Sequence, residues 1–195
     1  MHGDICSICC GMEREVSVHC PFECPYLQEA RRHEEPPVAD PATYPNQDIR
    51  VSEQFLRDHE PLLLFVAVTL MKSALQTPGA VDRDVKEELE SLVLTYRTLE
   101  SGLYYESRPT NPIAAAIHGR VQDDIQKMRE KVIEESGMQR LRDADFLGVL
   151  AFLQRMEIQQ NNGRRLGRAF LDFLRSHFPQ TGEAEPAEPQ PLITS

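Results

Sequence analysis

All five cysteines of this 195-residue chain lie in its first 24 positions, in Cys6-Ser7-Ile8-Cys9-Cys10-Gly11 and then Cys20-Pro21-Phe22-Glu23-Cys24. Two close pairs, Cys-x2-Cys and Cys-x3-Cys, are separated by ten residues. That spacing places four thiolates where one tetrahedral ion gathers them, and zinc is the ion that such a set suits. The expected ligands are Cys6, Cys9, Cys20 and Cys24, with Cys10, His19 and His33 as alternates. Four cysteines close the coordination shell and leave no position for water or substrate, which makes the zinc structural rather than catalytic.

A disulfide framework is the competing use of so many thiols. It would spread its cysteines over the chain it staples and follow a secretory signal. Here Met1-His2-Gly3-Asp4-Ile5 has neither a basic nor an apolar leader character. The longest apolar stretch, Leu62 to Met71, is too short for a membrane span. A cytoplasmic setting follows as the expectation. There reduced thiols bind metal or act in redox chemistry, and Cys9-Cys10 beside a Cys-x2-Cys keeps a thiol redox or metal sensor open.

The elements that must hold this site are small. Val16-Ser17-Val18 alternates in the manner of a short strand after a turn at Gly11. From Cys20-Pro21 the pattern turns helical, with Phe22, Tyr26, Leu27 and Ala30 on one face and Cys20 in the cap position. Knuckle, hairpin and cysteine-bearing helix start resemble the treble-clef group of zinc folds, over residues 5–33. The wider run, carried by Cys6, Cys9, Cys10, Gly11, Arg14, Glu15, Val16, Cys20, Pro21, Cys24, Tyr26, Leu27, Glu29, Ala30 and Arg31, also resembles a set of uncharacterised bacterial proteins. Those proteins place such a cysteine module ahead of a helical body. The resemblance implies metal binding and a bacterial setting, and it carries no activity. One departure is that Cys10 precedes Gly11, where zinc knuckles often have glycine straight after the second cysteine.

The predicted architecture is mostly α, in four parts. A zinc-binding module spans 1–33, a proline-rich linker 34–50, a helical bundle of four to six helices 51–179, and a disordered acidic tail 180–195. In the body, Ser52 caps a first helix broken near Pro61, and a nearly all-apolar helix follows from Leu62 to Gln76. Asp82 caps a helix from Arg83 to about Tyr105, with Val85, Leu89, Leu92, Val93, Tyr96, Leu99 and Leu103 inward. Asn111-Pro112 opens the next, which stops at Ser136-Gly137. Two more run from about Asp145 to Gln160 and from Arg164 to His177.

Function is bounded mainly by exclusion. A net charge of −10 opposes general nucleic-acid binding and docking on anionic lipid. The charge is uneven, with seven arginines against four acids between Arg140 and Arg175. Arg164, Arg165 and Arg168 are therefore the place where a zinc-dependent nucleic-acid-associated regulator would touch phosphate, although such a run is commonly a helix's polar face. No P-loop, dinucleotide fingerprint or nucleophile elbow is present. His59 and His118 read as isolated, and Tyr104-Tyr105 as packing residues. The expectation is a non-enzymatic zinc-binding protein whose helical bundle contacts another protein.

Overall fold

The computed structural model describes residues 6–34, 40–136 and 141–178, and among these it contains eight α-helices and no strand. They are α1 (Ser7–Glu13), α2 (Pro25–His33), α3 (Glu53–Asp58), α4 (Glu60–Leu75), α5 (Asp82–Glu100), α6 (Pro112–Ser136), α7 (Asp143–Gln160) and α8 (Ala169–His177). Six of them, α3 to α8, build the body, at the upper end of the expected four to six. The Gly137 stop and the acidic tail 180–195 lie outside the described residues.

Local chemistry sets most helix starts. Ser52 Oγ accepts the Phe55 N–H at 3.1 Å and opens α3. Pro61 stands in the first turn of α4, so the chain breaks at His59 rather than kinking inside one helix. Asn111 Oδ1 accepts the Ile113 N–H at 2.9 Å, with Pro112 beginning α6 as its fixed φ favours. One boundary here differs from expectation. Helix α5 ends at Glu100 because Gly102 takes a left-handed φ of 76°, which lets the Leu103 N–H turn back to the Thr98 carbonyl at 2.9 Å. Tyr104 and Tyr105 therefore leave the helix and are exposed instead of packed.

The core sits where α4, α5, α6, α7 and α8 converge, and Leu70, Leu89, Ile117, Phe146, Leu150 and Phe170 are fully buried in it. Burying each such side chain contributes roughly 1.5–3 kcal/mol. Helices α5 and α7 make the closest pair. Tyr96 stacks on Phe146 at 5.0 Å between centroids, and Arg129 lies over the Phe146 ring at 4.5 Å while pairing with Asp143 at 2.6 Å. Gly148 of α7 lets the Phe55 ring lie against the helix backbone, in space that a methyl group would occupy. Residues 40–49 are fastened along this body rather than looping free: Asn46 bonds Gln154 at 2.7 Å, Arg97 bonds Asp48 at 2.6 Å, and Arg155 donates to the Asn46 and Ile49 carbonyls.

Asp82 does not cap its own helix. The Val81 N–H donates to Asp84 Oδ2 at 2.9 Å, which gives α5 its start. Asp82 instead caps α8 from across the core. Its two oxygens accept the N–H groups of Phe170 and Leu171 at 2.9 and 3.1 Å, and its own N–H donates to the Gly167 carbonyl at 2.9 Å. This is why α8 begins at Ala169 and not at Arg164.

Burial pushes the Asp82 carboxyl up to about 7, against the two hydrogen bonds that favour its charge. The unfolded chain releases this proton near pH 4, whereas the folded chain keeps it to about pH 7. The stability this group adds is therefore full below about pH 4 and falls as pH rises to about 7. Asp82→Asn is predicted to flatten the fall, so its urea-unfolding free energy changes less than that of the wild type between those limits. Asp82→Ala strands two buried N–H groups and is predicted to cost about 2–5 kcal/mol. The same pH slope in wild type and Asp82→Asn contradicts the assignment.

Candidate metal centre

The cysteines occupy two helix starts and the turn between them. Cys6 is the N-cap of α1, and its Sγ accepts the Cys9 N–H at 3.3 Å. Sulfur here does what a serine or aspartate oxygen does at an ordinary cap, and a thiolate does it better than a thiol. Hydrogen bonding from the Cys9 thiol and backbone lowers the Cys6 pKa, and the same contact raises that of Cys9. Both sulfurs lie at the surface.

Cys24 is the N-cap of α2, with Pro25 first in the helix. The expectation had Cys20 in that position. Two prolines compete for the helix start, and Pro25 wins because residues 21–24 are used by a turn closed through Cys24 N–H to Pro21 O at 3.1 Å. Cys20 lies before that turn, buried, with its thiol aimed at the Val18 carbonyl at 3.7 Å.

The strand and hairpin are not formed either. Gly11 lies inside α1, and residues 15–17 make a tight turn with a single bridge between Arg14 and Val18. Tyr26 faces outward, while Phe22 and Leu27 go inward. Cys10 is half-buried on α1 beside Cys9. His19 is exposed next to Cys20. His33 bonds Glu29 at 3.0 Å, about nine helical residues or roughly 13 Å of axis from Cys24.

In donor chemistry the four cysteines fit a zinc ion. Their sulfurs are soft, two of them sit at helix N-termini, and one pair already shares a hydrogen bond. Among the described residues, however, no three His, Cys, Asp or Glu side chains are gathered closely enough to hold a metal.

What fixes the cysteine segment in place is Glu15, which the sequence marked only as one residue of the resembling run and not for its role. It is 1% exposed and adopts a left-handed φ of 54°. Its carboxylate accepts from Arg31 Nη2 at 2.7 Å, Asn162 Nδ2 at 2.9 Å and the Arg168 N–H at 3.1 Å. Its carbonyl accepts the Leu166 N–H at 2.7 Å. Around it, Arg31 bonds Asp172, Arg164 bonds the Arg14 carbonyl and Glu34 at 2.8 and 2.9 Å, and Arg168 donates to the Cys20 carbonyl. The guanidinium groups of Arg168 and Arg175 cover the Phe22 ring at 4.0 and 4.6 Å. The basic run therefore faces the protein's own cysteine segment. Of its three arginines, Arg164 and Arg168 are engaged there and Arg165 is exposed.

A second cluster escaped sequence reasoning. His118 is not isolated: its Nδ1 meets Glu88 at 2.9 Å and its Nε2 meets Glu106 at 3.1 Å. Glu88 is fully buried, and burial raises its pKa. Burial opposes charge on His118, but the two carboxylates outweigh it and raise its pKa. The partners lie 30 and 12 residues away, so no local spacing reveals them. The cluster pins α5, α6 and the loop between them.

No protein-family model, curated protein or solved structure matches the chain.

Glu15→Ala is predicted to uncouple the cysteine segment from the body at a cost of about 3–5 kcal/mol, because it removes the buried acceptor shared by Arg31, Asn162 and the Arg168 N–H and leaves Arg31 with Asp172 alone. Glu15→Gly should recover about 1 kcal/mol of that by relaxing the left-handed backbone. Hydrogen exchange of residues 15–34 and 162–172 reads both effects, and unchanged protection in Glu15→Ala refutes the role. His118→Ala is predicted to destabilise the body by about 3 kcal/mol, by leaving the buried Glu88 without its partner. Thermal unfolding of the variant measures it.

Proposed function

We propose that this chain is a non-enzymatic zinc-binding protein of the cytoplasm. In this reading Cys6, Cys9, Cys20 and Cys24 hold one structural zinc ion, and the helical body serves contact with another protein. The observation that carries the reading is the Cys6–Cys9 pair, in which a helix-start amide already points at sulfur at 3.3 Å. The same amide-to-thiolate bond orients ligands in zinc sites. Cys24 at the second helix start, four thiols in one short segment, and the resemblance to cysteine modules ahead of helical bodies support it further. Closing the site brings the α1 pair and the Cys20–Cys24 pair to one ion, which ties the segment's two helices together. Among the described residues no helix is long and apolar enough to cross a membrane.

A second reading, a thiol redox sensor, is favoured by two exposed thiols, Cys6 and Cys9, brought together at one helix start. Oxidation would join the two sulfurs, with two protons and two electrons passing to a peroxide or disulfide oxidant.

One colourless zinc per chain is expected by elemental analysis, with four sulfurs near about 2.3 Å by X-ray absorption. Cys6→Ser and Cys24→Ser should each lower zinc content severalfold, and Cys10→Ser should leave it unchanged. A zinc-free protein that loses two hydrogens on mild oxidation, with the bond mapped to Cys6 and Cys9, replaces the first reading by the second.

A further inference from the structure

Helix α4 is apolar on nearly every side, yet only part of it is covered. Val66, Ala67, Leu70, Met71 and Ala74 face the core. Leu64 is 41% exposed, and Phe65 and Val68 are half-buried. A helix that is hydrophobic all round is normally enclosed on all sides.

The uncovered side forms one wall of a groove of about 720 Å3, whose other wall is α6 through Lys127 and Met128. The groove runs from Leu64 to Lys72 along α4, or about 12 Å of helix axis. Its charge is unusual for this protein. The chain has four lysines in all and a net charge of −10, and three of the four, Lys72, Lys127 and Lys131, line this groove. The acid among its lining residues, Asp124, pairs with Lys127 at 3.4 Å.

We propose that this groove is a docking site for an amphipathic helix of a protein partner, with apolar residues on one face and carboxylates along its flanks. The inference rests on the reading of the helical body as a surface for protein contact, and it names the face and the partner's chemistry. The apolar α4 wall of Leu64, Phe65 and Val68 accepts a partner helix by its i, i+3, i+4, i+7 face, and Met128 opposite adapts to its shape. The lysines select glutamate or aspartate flanks. A second copy of this chain fits poorly, since a two-fold pairing of this face sets lysines against lysines. The chain's own Glu183, Glu185 and Glu188 match the charge, but Pro186, Pro189 and Pro191 oppose a helix there.

The test uses the full chain and two labelled synthetic peptides, amphipathic helices sharing one Leu/Ile face. One is flanked by glutamates and the other by lysines. Fluorescence anisotropy is expected to show the glutamate peptide binding at least 10-fold more tightly. Leu64→Glu, and separately Lys72→Glu with Lys127→Glu, should weaken it at least 10-fold without changing thermal unfolding. Equal binding of the two peptides, no binding, or insensitivity to these variants overturns the proposal. So does a 10-fold gain on removing residues 180–195, which assigns the groove to the chain's own tail. Self-association abolished by Leu64→Glu overturns it as well, in favour of a second copy. Zinc content is measured on the same samples, so a zinc-free chain that binds the peptide sinks the metal reading alone. A zinc-loaded chain that ignores the peptide sinks the groove alone.

Discussion

The cysteine segment is joined to the helical body through one buried carboxylate. Glu15 lies in the turn after α1, and its side chain and carbonyl together take hydrogen bonds from α2, from Asn162 and from the backbone at Leu166 and Arg168. An acid this deeply buried persists only when its charge is matched and its lone pairs are filled. Arg31 supplies the match and in turn reaches Asp172 on α8. The left-handed backbone at Glu15 is the strain that this network sustains, and it aims the carboxylate inward rather than at solvent.

The body is arranged around a comparable device. Asp82 on α5 supplies the cap that α8 lacks, and Gly167 returns a bond to the start of α5. The Glu15 and Asp82 sites both meet the segment from Asn162 to Leu171. That segment is therefore shared by the cysteine end and the core. Two of its three arginines, Arg164 and Arg168, which composition marks as part of a basic run, are spent on carbonyls, a carboxylate and the Phe22 ring.

What the sequence revealed and what it hid divide along a physical line. Features governed by neighbours a few residues apart were legible: the Ser52 and Asn111 caps, the break at Pro61, the apolar stripe of α5 from Val85 to Tyr96. The all-α body followed from these. Features governed by partners far along the chain were not. Asp82 looks like a local cap until Phe170 and Leu171 arrive, His118 looks solitary until Glu88 does, and Glu15 is one acid among many. In the cysteine segment, type and spacing were informative about chemistry but misleading about shape. Alternation at Val16-Ser17-Val18 suggested a strand, and the demand of Glu15 for a tight turn overrode it.

The docking of the cysteine segment also sets an order of events. Its anchoring bonds join residues 130 to 153 positions apart, so during synthesis the thiols emerge long before the chain that will hold them exists. Loop closure over such a span is slow compared with forming α1 or α2 locally. The thiols consequently meet the surrounding solution as a free peptide first and as part of a folded protein second.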